Sequence, residues 1–572
     1  MRVLGVNALF HDPSAALVVD GRVVAAAEEE RFSRRKHGKR PVPFAAWELP
    51  EQAMRWCLEV GGLEPGDLDA VAYSFDPALA KPAEEMGLPD PWDWLRRQYA
   101  ERAPQFIATA LPGLSPAAVR FVPHEVAHAA SAALASPFGT CSVMSLDGRG
   151  ERSSHLAGRY VDGRLEVLAS QELPHSLGLI YESLTEHLGF LRSSDEYKVM
   201  ALASYGEPRF LEELREVFYA TPDGGFVAEA PDWTRWAPRA TPGALQDPAM
   251  ADALAPDDAH GGLPPAHADL AASVQARLEE VLVDLATWLH ERTGDTALTL
   301  AGGTALNCVA NSRIWRDSPF DEVWVQPAAG DSGTALGAAL QLTAEAGVPV
   351  EPMGSAALGR EWSDDELAAW LRQARVPFTT PDDLPGAVAD VLAADGVVAW
   401  FQGRAEFGPR ALGQRSLLAH PGHAHNVRRL NDVKGREQFR PVAPMVLLED
   451  APEIFSGGPI PSPYMLFVHE VAPAWRERIP TVTHVDHTAR IQTVDDSQPR
   501  LQATIRAFRD RTGLPVVVNT SLNTAGRPMV DDPRDALELF GSAPVDLLVL
   551  GPHLVHRGAL FAGGGAAAGV AG

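Results

Sequence analysis

The chain has 572 residues, too many for one ordinary hydrophobic core, so two or more domains are expected. An apolar share of 46% and a charged share of 22% exclude a mostly disordered or fibrous protein. The net charge of −26, from 49 basic against 75 acidic side chains, argues against duplex DNA or bulk RNA as a partner.

Cys57, Cys141 and Cys308 are too few for a disulfide framework and fit a reducing compartment. The N-terminal stretch lacks a signal-peptide layout, and no run of about 18 apolar residues occurs. A soluble, cytoplasmic protein with no membrane partner is the expectation.

In chain order, residues 2–7 read as a strand, followed by a polar loop with His11 and Asp12. A strand at 15–19, an Asp20-Gly21 turn and a return strand at 22–27 complete the unit. Further on, the segment PHEVAHAASA places His124 and His128 at i and i+4, on one face of a helix. That spacing suits two ligands of one divalent metal. With 18 histidines in the chain such a pair also arises by chance, so spacing leaves both readings open.

Residues 141–172 repeat the first pattern: a strand at 141–146, a polar loop from Asp147, a strand, an Asp162-Gly163 turn and a return strand. The letters VDGR close both hairpins, at 19–22 and 161–164. Asp-Gly between β-rich runs signals a type I′ hairpin. A duplicated α/β domain is expected, each half presenting a loop to a shared cleft.

Residues 222–268 carry Pro, Asp, Gly and Trp without a period, which predicts an irregular insertion, either a lid or partly disordered. The stripe Val274, Leu278, Val281, Leu282, Leu285 and Leu289 predicts a helix over 270–292, with a buried strand at 297–301 after it. Gly302-Gly303 then either admits a ligand to the backbone or makes a tight turn. Asp331 opens a small-residue helix at 334–340. Asp147 and Asp331, each after a strand, are candidate oxygen donors. Nitrogen and carboxylate donors without thiolate suit iron(II), manganese or zinc and do not choose among them.

Pro and Gly punctuate 346–362, so the expected domains are 1–350 and 351–562, with a disordered tail at 563–572. The second domain has strand-like runs at 397–401, 416–419, 442–448, 465–471 and 515–519. It also holds a basic concentration. Residues 401–440 carry eight Arg or Lys against three acids, a local charge of +5 interleaved with Gly403, Gly408 and Gly413. Few aromatics accompany it, so a small phosphate-bearing substrate fits better than nucleic acid.

Many of these segments together resemble one family. FHDPSAALVVDG, AEEERFSRRKHG, HEVAHAASA, SLDGRGE, EYKVMALASYGE, LAGGTALNCVAN and GDSGTALGAAL carry it in the first part. FQGRAEFGPRALGQRSLLAHP, VKGREQFRPVAPMVL, HVDHTARIQTV and NTSLNTAGRPMV carry it in the second. The chain is similar, over nearly its whole length, to the O-carbamoyltransferases of antibiotic and nodulation-factor biosynthesis, the family that includes tobramycin carbamoyltransferase.

The resemblance implies an actin- and sugar-kinase-like ATPase fold followed by an α/β domain like threonylcarbamoyl-AMP synthase. It implies that carbamoyl phosphate is dephosphorylated to carbamate, that ATP adenylates the carbamate, and that a hydroxyl of a small natural product accepts the carbamoyl group. His124, His128, Asp147 and Asp331 match the family's metal ligands. His11 matches the base that deprotonates the acceptor. Gly303 and Asn307 match nucleotide contacts, with Ser14, Lys198 and Gly302 as weaker candidates. Arg410, Arg440, Arg490 and Asn519 match ligands of ATP and carbamoyl phosphate, with Arg415 and Lys434 as neighbours. The implied cofactors are ATP with Mg2+ and one divalent metal, iron(II) ahead of manganese or zinc. A tRNA threonylcarbamoyl transferase and a non-catalytic nucleotide-binding regulator are the alternatives.

Overall fold

The structure is a computed structural model and describes residues 1–38, 48–241 and 265–561. The chain forms two compact units. The first is Met1–Leu358 with Phe407–Pro409, and the second is Gly359–Glu406 with Arg410–Gly572.

The first unit holds two five-stranded sheets. One is built from β1 (Arg2–Asn7), β2 (Ser14–Val19), β3 (Arg22–Glu28), β4 (Ala70–Tyr73) and β5 (Val119–Phe121), in the order β3-β2-β1-β4-β5. The other is built from β6 (Thr140–Leu146), β7 (Ser153–Val161) and β8 (Arg164–Glu172). After a short hairpin of β9 (Phe218–Ala220) and β10 (Phe226–Ala228) it is completed by β11 (Ala297–Ala301) and β12 (Glu322–Val325). Its order read from the far edge is β8-β7-β6-β11-β12. In each sheet the first three strands form an antiparallel meander and the last two add in parallel.

The two halves are therefore one topology used twice, as expected of a duplicated α/β domain. Both VDGR turns have positive φ at their two central residues: 49° and 84° at Asp20-Gly21, 50° and 75° at Asp162-Gly163. These are the type I′ signs that match the twist of the flanking strands.

Strand β1 is buried on both faces, which its unbroken apolar run demands. Leu4 and Val6 pack with Met54, Cys57 and Leu58 of the helix Glu51–Gly61 and with Ile107 of the helix Asp93–Ala110. Val3 turns the other way, toward Ala335, Leu336 and Ala339 of the helix Ser332–Glu345. Each such aliphatic side chain contributes roughly 1.5–3 kcal/mol by leaving water.

That helix is the pivot of the unit. A Cβ on Gly337 would stand 1.8 Å from the Ala127 carbonyl oxygen, and one on Gly5 would stand 1.7 Å from the Ala335 oxygen. The small residues of GTALGAAL and HEVAHAASA thus let the helices Ser332–Glu345 and His124–Ala133 meet backbone to backbone.

The second unit is a mixed seven-stranded sheet. Its order is Gln492–Val494, Ala443–Leu447, Val516–Ser521, Arg415–Ala419, Val398–Phe401, Leu547–Leu550 and His553–His556. Trp400, Phe401, Phe508 and Phe540 anchor a core shared with the helices Leu384–Ala393, Pro499–Thr512 and Pro533–Ser542.

Three expectations need correction. The run at 465–471 is a strand only over His469–Val471, because Met465 has φ of 57°, which ends an extended chain. The irregular stretch 222–268 contains strand β10, and the helix expected to begin at 270 begins at Pro265. Its middle, residues 242–264, lies outside the described residues, as does the tail from 563. Among the described residues no helix is long and apolar enough to cross a membrane, and all three cysteines are free and buried.

Gly337→Ala tests the helix contact. An alanine gains roughly 0.5–1 kcal/mol in helix propensity, but overpacking against a carbonyl costs about 1–3 kcal/mol or more. The unfolding midpoint in urea should fall. Gly541→Ala is the control, because that helical glycine has nothing within 4 Å of a Cβ, and its midpoint should hold or rise.

Candidate metal centre

Four side chains converge in the first unit. His124 and His128 open the helix His124–Ala133, whose alanine-rich sequence is a strong helix former. Pro123 precedes its first residue, and Glu151 Oε1 accepts the otherwise orphaned His124 N–H at 2.8 Å. One turn apart, the two imidazoles lie 4.7 Å between ring centres and almost perpendicular. Asp147 follows β6, and Asp331 stands at the start of the helix Ser332–Glu345.

One ligand atom from each of the four lies within 4.8 Å of every other, and all four side chains are buried. His124 Nε2 is 3.7 Å from Asp147 Oδ2 and 3.6 Å from Asp331 Oδ1. His128 Nε2 is 3.9 Å from Asp147 Oδ1 and 3.5 Å from Asp331 Oδ1. These separations are too long for hydrogen bonds. They suit donors around one ion, since two ligands each about 2.1 Å from a metal are at most roughly 4.2 Å apart.

The unsatisfied atoms point the same way. His124 Nε2, His128 Nε2 and both Asp331 oxygens are buried without a hydrogen-bond partner. Such atoms each carry a desolvation cost that a cation would relieve. His124 Nδ1 donates to the Ser74 carbonyl at 3.1 Å, which fixes the tautomer with its lone pair on Nε2, facing the carboxylates. The residues present therefore fit a divalent ion.

Electrostatics agree with an acidic, cation-seeking site. Burial raises the Asp331 carboxyl, but His11, His124 and His128 outweigh it and hold its pKa well below the ordinary range. Burial lowers the His124 imidazole, and the two facing aspartates outweigh it in turn, so its pKa lies well above the usual value. Glu125, between the two histidines in sequence, is pushed up to about 8 by burial and then by Asp147.

The backbone supports one ligand directly. Gly303 N–H donates to Asp147 Oδ1 at 2.9 Å, and the neighbouring Gly302 has φ of 88°. A Cβ on Gly302 would lie 2.2 Å from the Leu146 oxygen, so only glycine fits this turn.

His11 adjoins the cluster, with Nε2 3.6 Å from Asp331 Oδ2. Its Nδ1 is 2.8 Å from Asp12 Oδ2, and the other Asp12 oxygen meets His37 Nδ1 at 2.6 Å. Asp12 and His37 both hold left-handed φ values, 50° and 59°. Sequence reasoning placed no role on Asp12, His37, Glu125 or Glu151. The signal available was only their position in FHD, RKHG, HEVAH and DGRGE.

The other sequence candidates of this unit are placed as follows. Ser14 Oγ donates to the Ser332 carbonyl at 2.8 Å, tying β2 to the start of the pivotal helix. Asn307 caps the helix Cys308–Asp317 by accepting from Ala310 N–H, and its Nδ2 donates to Gln275 Oε1 at 2.9 Å. Lys198 Nζ lies 3.0 Å from Asp195 Oδ2.

In the second unit, Arg415 is fully buried under the Phe401 ring at 3.6 Å. Its guanidinium donates to the carbonyls of Gln402, Gly403, Gln414 and Arg360. Lys434 Nζ meets oxygens of Ser521 and Asn523 at 2.5–3.0 Å. Both side chains hold loops together. Arg440 lies 3.3 Å from Glu437 Oε2. Asn519 Nδ2 donates to Ala411 O and Gln492 Oε1, while its Oδ1 and Arg490 Nε are buried without a hydrogen-bond partner. Arg410 follows directly on Phe407–Pro409 and is partly buried.

Comparison with known proteins yields the following similarities. The model of the carbamoyltransferase N-terminus matches residues 2–107 and 114–340, and that of the carbamoyltransferase C-terminus matches residues 389–557. Nodulation protein NolNO of Sinorhizobium fredii is 36% identical over 96% of this chain and 80% of its own length. Nodulation protein NolO of Bradyrhizobium diazoefficiens is 39% identical over 76% of this chain and 78% of its own. Nodulation protein U of the same organism is 31% identical over 94% of this chain and 95% of its own. Among solved structures, T. kodakarensis HypF is similar over 61% of this chain and 49% of its own, at 15% identity and a TM-score of 0.34, too distant to carry an argument.

His128→Ala tests the metal centre without harming the helix, since alanine is the best helix former. Metal content measured by elemental analysis after dialysis should fall, with affinity reduced about 10–100-fold. Undiminished metal in the variant would return His128 to an ordinary buried histidine.

Proposed function

Since this chain belongs to the carbamoyltransferase family, we propose that it is an ATP-dependent O-carbamoyltransferase acting on a hydroxyl of a small natural product. The observation that carries this reading is the buried four-donor cluster with His11 beside it. Water hydrolyses carbamoyl phosphate to carbamate and inorganic phosphate. The carbamate oxygen then attacks the α-phosphorus of ATP, forming carbamoyladenylate and releasing pyrophosphate. The acceptor oxygen attacks the carbamoyl carbon, and AMP leaves.

His11 has the setting of the base in that last step. A carboxylate only accepts, so His11 Nδ1–H donates to Asp12 and Nε2 is left as the basic nitrogen. The same contact fixes the ring's direction. His124, His128, Asp147 and Asp331 would hold a divalent metal, which when bound supplies a Lewis acid for a phosphate oxygen. The Gly302-Gly303 turn and Asn307 are proposed to line the adenylate.

In the second unit Arg410, Arg440, Arg490 and Asn519 are proposed to bind ATP and carbamoyl phosphate, where guanidiniums neutralise two anionic substrates. Arg415 and Lys434 support them by holding the loops 402–415 and 521–523. The tRNA-modifying alternative is not favoured by the family match.

The experiment separates two kinds of damage. Arg440→Ala should abolish pyrophosphate release that depends on carbamoyl phosphate, and product with it. His11→Asn should still form carbamoyladenylate, which should persist on the enzyme and be seen by mass spectrometry after rapid denaturation. Synthetic carbamoyladenylate should rescue the arginine variant and not the histidine variant. Rescue of His11→Asn, or equal loss of adenylate formation in both, would show the division of labour to be wrong.

A further inference from the structure

Two segments of the first unit meet beside the four-donor cluster. The loop after β1 carries His11 and Asp12, and the short turn Lys36–Gly38 carries His37. Asp12 stands between the two histidines. Its Oδ2 lies 2.8 Å from His11 Nδ1, and its Oδ1 lies 2.6 Å from His37 Nδ1.

The backbone of both segments is held by other groups. Asn7, the last residue of β1, donates from Nδ2 to the carbonyls of His11 and Asp12 at 2.9 and 3.1 Å. The Asp12 N–H donates to the His37 carbonyl at 3.2 Å, and the His37 N–H donates to Glu30 Oε2 at 2.8 Å. Gly38, with φ of 63°, lies so close to the loop that a Cβ there would stand 2.9 Å from the Pro13 ring. The turn is therefore seated on the loop by main-chain contacts, and the His37 imidazole is not needed for that.

What the imidazole adds is a constraint on a carboxylate. A carboxylate bonded through one oxygen can still turn about its Cβ–Cγ bond, a broad and two-fold torsion. Bonded through both oxygens, it is fixed in plane. Both oxygens only accept, so both histidines must carry a proton on Nδ1. His37 Nε2 is buried without a hydrogen-bond partner, which leaves Nδ1 as the place for the ring's proton. Phe10, Asp12 and His37 all hold left-handed backbone, with φ of 60°, 50° and 59°. Non-glycine residues stay there only where their surroundings over-determine them, and such positions gather at functional sites.

We propose that His37 is a positioning residue for carbamoyl transfer. By holding Asp12 Oδ1 it locks the carboxylate plane, so that Oδ2 keeps the His11 proton on Nδ1 and leaves the Nε2 lone pair for the acceptor hydroxyl. This rests on the reading of His11 as the acceptor's base.

The test reads tautomers by long-range proton–nitrogen NMR on zinc-loaded enzyme with nitrogen-15 histidine. It is run without substrates at about pH 8, above the ordinary imidazole range. The His11 and His37 signals are assigned by their loss in His11→Asn and His37→Asn. In the unaltered enzyme both rings should carry the proton on Nδ1. His37→Gly removes the donor and suits the left-handed backbone. There the ratio of Nδ1–H to Nε2–H at His11 should fall about tenfold, the scale of one charge-assisted hydrogen bond. His37→Asn also tolerates that backbone and sets an amide N–H where the ring Nδ1–H stood. It should keep the His11 ratio within about threefold of the unaltered value. A role limited to shaping the turn would be served by either substitution alike.

A His37 proton found on Nε2 in the unaltered enzyme overturns the proposal, whatever the stability of the variants. So does a His11 ratio that is unchanged in His37→Gly, or that falls equally in His37→Asn. Persistence of carbamoyladenylate on His11→Asn reports separately on His11 as the base. Its failure would sink that reading, while the tautomer ratios would still decide whether His37 orients the ring.

Discussion

Everything in the first unit hangs on the distance between two helices. With Gly337 lying against the Ala127 carbonyl, His124–Ala133 and Ser332–Glu345 pack backbone to backbone. The first helix carries two nitrogen donors on its opening turn and the second begins at Asp331. A side chain of ordinary size at 337 would force the helices apart and separate the aspartate from both imidazoles. The same close packing holds Ser332–Glu345 on β1, where Gly5 meets Ala335. The site is thus set by what the helices lack, namely side-chain volume at the contact.

Packing alone does not account for the polar atoms left at that contact. Three imidazole nitrogens (both of His128 and Nε2 of His124) and two carboxylate oxygens are buried without hydrogen bonds, in a region otherwise filled with alanine and leucine. A chain folding for stability alone would replace them with apolar groups of similar volume. Their retention is intelligible when a cation completes the set. The contrast with the second unit is instructive, because there the buried Lys434 ammonium is met by oxygens of Ser521 and Asn523. Burial of a charge is therefore not by itself a mark of chemistry. What its neighbours leave unsatisfied is.

Much of this was legible in the letters. The two VDGR turns revealed the duplication, because a type I′ turn depends on two adjacent residues and nothing remote. The i, i+4 spacing put His124 and His128 on one face for the same local reason. Asp147 and Asp331 were marked only by their places after strands and by resemblance to a family, since their meeting depends on contacts nearly two hundred residues apart. The Asp12 bridge between His11 and His37 was not legible at all. It needs left-handed backbone at Asp12 and His37, which neither residue type announces. The strand predicted at 465–471 failed for a related reason, as periodicity cannot report the left-handed conformation of Met465.

The duplication has one more consequence. The loops after β1 and β6 occupy equivalent places in the two halves, and the two sheets repeat each other strand for strand. The first of these loops carries His11 and the second carries Asp147, and Asp331 lies against both histidine classes, His11 on one side and His124 and His128 on the other. A dimer of identical halves would present the same loop twice across its axis and could offer two bases or two ligands, never one of each. Joining the halves in a single chain lets each loop change without its counterpart, so a near-symmetric scaffold carries an asymmetric site. The symmetry survives in the sheets, where it keeps the frame rigid, and is broken only at the loop tips, where two different chemical tasks have to face each other.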